Sequence, residues 1–140
     1  MRIVWDEHER LGKWVCDRTG GRYANGQCIG MERDDGTLIA ATLYDNYNGA
    51  AINMHVAATT PHWMRPYFLK VCFGYPFLQL ECDVVIGWVA AENIRARRVD
   101  EWLGFKLACT VPKAHPSGDM LLYTMHREHC RWLEGQDDWW

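Results

Sequence analysis

His55 lies in the run Ala51-Ile52-Asn53-Met54-His55-Val56-Ala57, and an imidazole can take up a proton near neutrality. Strand alternation sets Asn53, His55 and Ala57 on one face and Ile52, Met54 and Val56 on the other. His55 is thus a candidate general base, with Asn53 beside it to orient a substrate. The competing reading is a sheet histidine satisfied by its neighbours and a solvated asparagine. His126-x-x-His129-Cys130 has metal-like spacing, but no second His or Cys pair completes four ligands. A strand end running into a turn accounts for it, and no metal is expected. Six cysteines (Cys16, Cys28, Cys72, Cys82, Cys109 and Cys130) include no C-x-x-C pair and no base partner by spacing. They read as core thiols of a reducing, cytosolic setting.

One domain must position these residues. The chain has 140 residues, 49% hydrophobic and 24% charged, enough to bury a core without disulfides or metal. Eight tryptophans make indole an unusual share of core or contact surface. The net charge of −3, with Arg95, Arg97 and Arg98 only a local basic patch, gives no case for nucleic acid. No apolar run approaches the ~20 residues of a membrane-spanning helix, and no secretory signal opens the chain.

In order, Met1 to Trp5 reads as a short strand. Asp6 is a plausible N-cap with Glu9 three residues on, and Leu11, Trp14 and Val15 give an amphipathic helix from Asp6 to Arg18, stopped by Gly20-Gly21. Gln27 to Arg33, a turn at Asp34-Asp35-Gly36, Leu38 to Asn46, an Asn48-Gly49 turn and Ala51 to Ala58 make an antiparallel meander. A helix from Pro66 to Tyr75 follows, with Pro66 in its first turn and Pro76 ending it. Val84 to Ala91 is nearly all apolar, a strand covered on both faces. Asn93 then caps a helix whose stripe is Ala96, Val99 and Leu103, closed by Gly104 and Phe105. Strands from Lys106 to Val111 and from Met120 to His126 flank a Ser117-Gly118-Asp119 turn. The order is β-α-β-β-β-α-β-α-β-β, one α/β (α+β) domain over residues 1–133 with a tail over 134–140, in which Trp139 and Trp140 suit either partner docking or packing on Trp132.

The run Asn93, Ala96, Val99, Glu101, Leu103, Gly104, Phe105 (Asn-x-x-Ala-x-x-Val-x-Glu-x-Leu-Gly-Phe) resembles the late strand–helix segment of the GNAT N-acetyltransferase superfamily, nearest the branch that acetylates protein amino termini. The two-strand ending fits as well, so the resemblance covers residues 84–128, about a third of the chain. It implies a mixed, mostly antiparallel twisted sheet with flanking helices, whose fourth and fifth strands splay to admit acetyl-CoA. A backbone N–H near the end of the fourth strand, at Val56 or Ala57, would donate a hydrogen bond to the thioester oxygen. Asn93 matches a residue that bonds the pantetheine arm or an ordered water, and plain capping is the other reading. Arg97 and Arg98, with Arg95, would reach the 3′-phosphate of CoA or simply form a solvated face.

Two departures stand out. The Gly-rich pyrophosphate turn of the superfamily is replaced by Thr59-Thr60-Pro61-His62-Trp63-Met64-Arg65-Pro66, where Arg65 could partly stand in by charge. The tyrosine that reprotonates the leaving thiolate is replaced by Asp100, a poor donor unless buried, leaving Tyr123 as a substitute. Two functions compete on these residues. One is an acyl-CoA-dependent N-acetyltransferase acting on a small amine or a protein amino group by direct attack in a ternary complex. The other is a GNAT-fold protein without catalysis, retained for binding or virion assembly, since short proteins of this kind are frequent in tailed-bacteriophage genomes. A second copy or a phage or host protein would then be the partner, in the host cytoplasm.

Overall fold

A computed structural model describes residues 1–133; the expected tail, with Trp139 and Trp140, lies outside the described residues. Seven strands form a single sheet: β1 (Arg2–Val4), β2 (Gln27–Glu32), β3 (Leu38–Asp45), β4 (Ala51–Ala58), β5 (Val84–Ala90), β6 (Lys106–His115) and β7 (Gly118–His126). Their spatial order is β1-β2-β3-β4-β5-β7-β6, and only β4 and β5 run parallel. Helices α1 (His8–Thr19), α2 (Pro66–Gly74) and α3 (Ile94–Leu103) complete the expected order. No helix among the described residues is long and apolar enough to cross a membrane.

The helices divide the sheet into two faces. Leu11 and Val15 of α1 pack over Cys28, Ala41, Leu43 and Ala57. On the opposite face α2 and α3 bury Phe68, Phe73, Leu103 and Phe105 against Met54, Val85 and Tyr123. Alternation therefore holds on β4: Ile52 and Met54 are in the α2/α3 core, and Ala57 is in the α1 core.

Two helix ends differ from expectation. Asp6 is not the cap of α1; the capping position is Glu7, and its side chain makes no capping bond. The carboxylate instead reaches Arg10 across one turn. Pro76 does not end the second helix. α2 runs straight into a π-turn over Tyr75–Gln79, closed by Leu80 N–H on the Tyr75 carbonyl at 3.0 Å. Proline has no N–H to give the carbonyl four residues back, which is that of Cys72. That carbonyl accepts the Tyr44 hydroxyl instead. The broken ladder is thus repaired by a side chain from β3, and the helix continues through the proline.

Candidate active site

The parallel ladder between β4 and β5 is short. Ala51, Ile52 and Asn53 pair with Val84, Val85 and Ile86, and pairing stops there although β4 continues to Ala58 and β5 to Ala90. Each strand stays paired on its outer side, β4 with β3 as far as Ala58 and β5 with β7 as far as Ala90. The sheet therefore opens into a wedge whose two inner edges are bare backbone.

The direction of β4's amides decides which of them faces the wedge. Thr59 N–H donates to Ile39 on the β3 side, and the Ala50 carbonyl accepts from Asp83 and Val84 on the β5 side. With a two-residue period, even-numbered N–H groups on β4 point to β5 and odd-numbered ones to β3. Val56 is past the last paired residue and aims its N–H into the wedge. Ala57 directs its own toward β3 and is unavailable there, which narrows the two expected donors to one.

His55 and Asn53 share the α1 face beside the wedge. His55 Nε2 lies 3.1 Å from Asp45 Oδ1, with both side chains partly exposed. A carboxylate at that distance favours the tautomer protonated on Nε2 and leaves Nδ1 with a free lone pair. Asp45 is the member of this pair that strand alternation alone did not single out. It is found only through register, because Asp45 pairs with Asn53 and so sits diagonally next to His55.

The α2/α3 face of the wedge holds a second group. Gly87 is the first β5 residue past the ladder, and a Cβ built on it would lie 3.6 Å from Asp100 Oδ2. The Asp100 carboxyl is largely buried and makes no hydrogen bond or ion pair among the described residues, while its backbone carbonyl accepts the Gly104 and Phe105 N–H groups. Burial, with a smaller contribution from the Glu101 charge, pushes its carboxyl up to about 7. The position that looked like a poor proton donor is therefore a half-protonated acid near neutrality.

Tyr123, fully buried, donates its hydroxyl to Glu101 Oε2 at 2.7 Å. Burial raises its pKa, and the same hydrogen bond adds to the rise. Its proton is committed away from the wedge.

Other expected site residues are occupied elsewhere. Asn93 caps α3, its Oδ1 accepting Ala96 N–H at 3.1 Å. The Arg97 guanidinium donates to the Ala91 carbonyl at 3.1 Å, whereas Arg95 and Arg98 are exposed. In the Thr59–Pro66 segment, His62 N–H bonds Thr60 Oγ1, Trp63 and Met64 N–H return to Thr60 and Pro61, and Arg65 N–H to Trp63. Arg65 Nε is drawn back to the His62 carbonyl. The amides from His62 to Arg65, of the kind that a phosphate-binding turn leaves open, are consumed within the turn. His126 and His129 are exposed while Cys130 is buried, so this cluster does not converge on one point, and no other three such side chains do among the described residues.

No protein-family model and no curated protein sequence matches the chain. Solved structures do. A spermidine N-acetyltransferase from Vibrio cholerae superposes with a TM-score of 0.73 at 12% identity, covering 96% of this chain and 98% of that one. A GNAT-family acetyltransferase from Bacillus anthracis gives 0.65 at 14%, covering 91% and 96%. A ribosomal-protein-S5-alanine acetyltransferase from Vibrio fischeri gives 0.62 at 12%, covering 89% and 71%. The chain has the GNAT fold. At these identities the likeness establishes the architecture, and the chemistry rests on the wedge itself.

Proposed function

We propose that this GNAT-fold protein is an acyl-CoA-dependent N-acetyltransferase that passes an acetyl group directly to a primary amine in a ternary complex. The observation that carries the reading is the wedge between β4 and β5, with a base on one face and an acid on the other. Val56 N–H meets the thioester oxygen, where negative charge develops as the amine attacks the carbonyl carbon. His55 Nδ1 takes the amine proton, and Asp45, 3.1 Å from Nε2, holds the imidazole in place. The carbon–sulfur bond breaks, and Asp100 returns a proton to the departing thiolate, a role its raised pKa suits near pH 7. Asn53 orients the incoming amine from the same face as His55. The likeness of the fold to GNAT acetyltransferases supports acetyl-CoA as cosubstrate. The 3′-phosphate, if bound by charge, would meet Arg95 and Arg98, which are exposed, more readily than Arg97.

One observation favours a different function. The Thr59–Pro66 turn has spent its amides from His62 to Arg65 internally, which works against a pyrophosphate cradle there and suits a GNAT-fold binding protein without catalysis. Calorimetric titration with acetyl-CoA, with CoA as control, separates the two. Micromolar binding, weakened at Val56→Pro by loss of its N–H, together with a His55→Ala variant about 100-fold slower or worse at unchanged acetyl-CoA affinity, supports the enzyme. A folded protein that binds neither ligand is the binding component instead.

A further inference from the structure

Among the described residues, no helix covers the strands beyond the wedge on the side that α1 leaves open. Continuing the β4–β5 register past Asn53–Ile86 places Trp88 opposite His55 across the wedge, on the same face. Trp88 is 43% exposed although it lies in a central strand. It pairs with Leu122 of β7, which in turn pairs with Cys109 of β6; Ala90 pairs with Met120, and Met120 with Val111. Leu122 and Met120 are half-buried, and Cys109 and Val111 are exposed. An apolar shelf thus runs outward from the wedge, starting at the residue that faces the candidate base.

Charge on this face is sparse, with Lys106 of β6 beside Thr124 at its outer end. Among the described residues, β4, β5, β7 and β6 place no carboxylate on it, and the acid beside the wedge is Asp45, already against His55. A polyamine chain carries several positive charges and needs several carboxylates along its length. An amine with one positive charge and an aromatic or aliphatic body needs one carboxylate at its nitrogen and an apolar wall for the rest. The face matches the second description.

We infer that the acceptor is a monoamine on an aromatic or branched aliphatic body, such as an arylalkylamine or a peptide amino terminus with a large apolar first residue. Its nitrogen faces His55 and Asp45, and its body lies on Trp88 and Leu122. The inference rests on the acetyltransferase reading and adds the substrate class to it. The spermidine N-acetyltransferase that shares the fold is then a neighbour in architecture and not in substrate.

The test measures CoA thiol release with 2-phenylethylamine, a phenylalanine-initiated tetrapeptide and spermidine, after calorimetry has established acetyl-CoA binding. The expected result is kcat/KM at least tenfold higher for an apolar acceptor than for spermidine. Trp88→Ala should raise KM for that acceptor about tenfold, leave the acetyl-CoA Kd unchanged, and be rescued in large part by Trp88→Phe. Preference for spermidine, or a Trp88→Ala enzyme with an unaltered acceptor profile, overturns the inference while the acetyltransferase stands. A dimer that Trp88→Ala dissociates, again with an unaltered profile, overturns it in favour of a second copy seated on the shelf. A folded protein that binds no acetyl-CoA overturns both at once, and the calorimetry tells that case apart.

Discussion

Asp100 shows how far one side chain's role depends on what surrounds it. Its carboxyl sits well above the ordinary aspartate range because burial disfavours the charged form. The folded protein therefore holds a proton there between about pH 4 and 7 that the unfolded chain has already lost. Stability must fall as pH rises through that window, and the penalty persists above it. Asp100→Asn removes the charge and with it the slope. The variant is expected to match the wild type near pH 4 and to exceed it by about 2 kcal/mol or more at pH 8, read by denaturant unfolding at a series of pH values. Equal pH profiles for the two proteins would place Asp100 in water, where it is no better an acid than the sequence suggested. His55 was visible from strand alternation alone. Its partner Asp45 was not, since it is ten residues away and meets His55 only through the β3–β4 register.

Among the elements, the α2–π-turn segment is where a local rule gave way. Pro76 was expected to end the helix because it removes a donor and crowds the preceding turn. The helix continues because Tyr44, from a strand on the other side of the connection, fills the vacated position at the Cys72 carbonyl. Burial is the largest cause of the raised Tyr44 pKa, in keeping with a neutral hydroxyl locked in the core. Tyr44→Phe leaves the ring packing intact and strands that buried carbonyl. It should cost about 1–3 kcal/mol in chemical denaturation, and a smaller loss would mean that the π-turn relaxes to satisfy Cys72 by itself. The α3 helix followed its local signals closely. Asn93 caps it through Ala96, and Gly104 closes it at a φ of 113°, a conformation favoured for glycine. Its ends were legible because capping is decided within a few residues.

At the scale of the whole molecule, the cysteines separate by exposure. Five are buried and Cys109 alone is exposed, and burial pushes Cys28 and Cys72 up to about 12. A folded sample at pH 8 should release one rapid equivalent in a thiol assay, all six appear on denaturation, and Cys109→Ser abolishes the rapid one. More than one rapid thiol would mean that the core opens readily. The amino-acid sequence by itself determined the element order, the two faces of β4, the capped α3 helix and the GNAT-like architecture, but not the covering of β5, which was expected on both faces and is left open at Trp88, 43% exposed. The local features follow from apolar periodicity or from turn and cap residues acting over a few positions, and the GNAT-like architecture from the resemblance of the run from Asn93 to Phe105 to that superfamily. Tertiary structure alone decided that β4 and β5 part after Asn53, that Val56 and not Ala57 turns its N–H to the gap, that Tyr123 donates to Glu101, and that Trp88 is left exposed in a central strand. Those outcomes depend on register and burial between segments tens of residues apart, and no periodicity within a single segment encodes them.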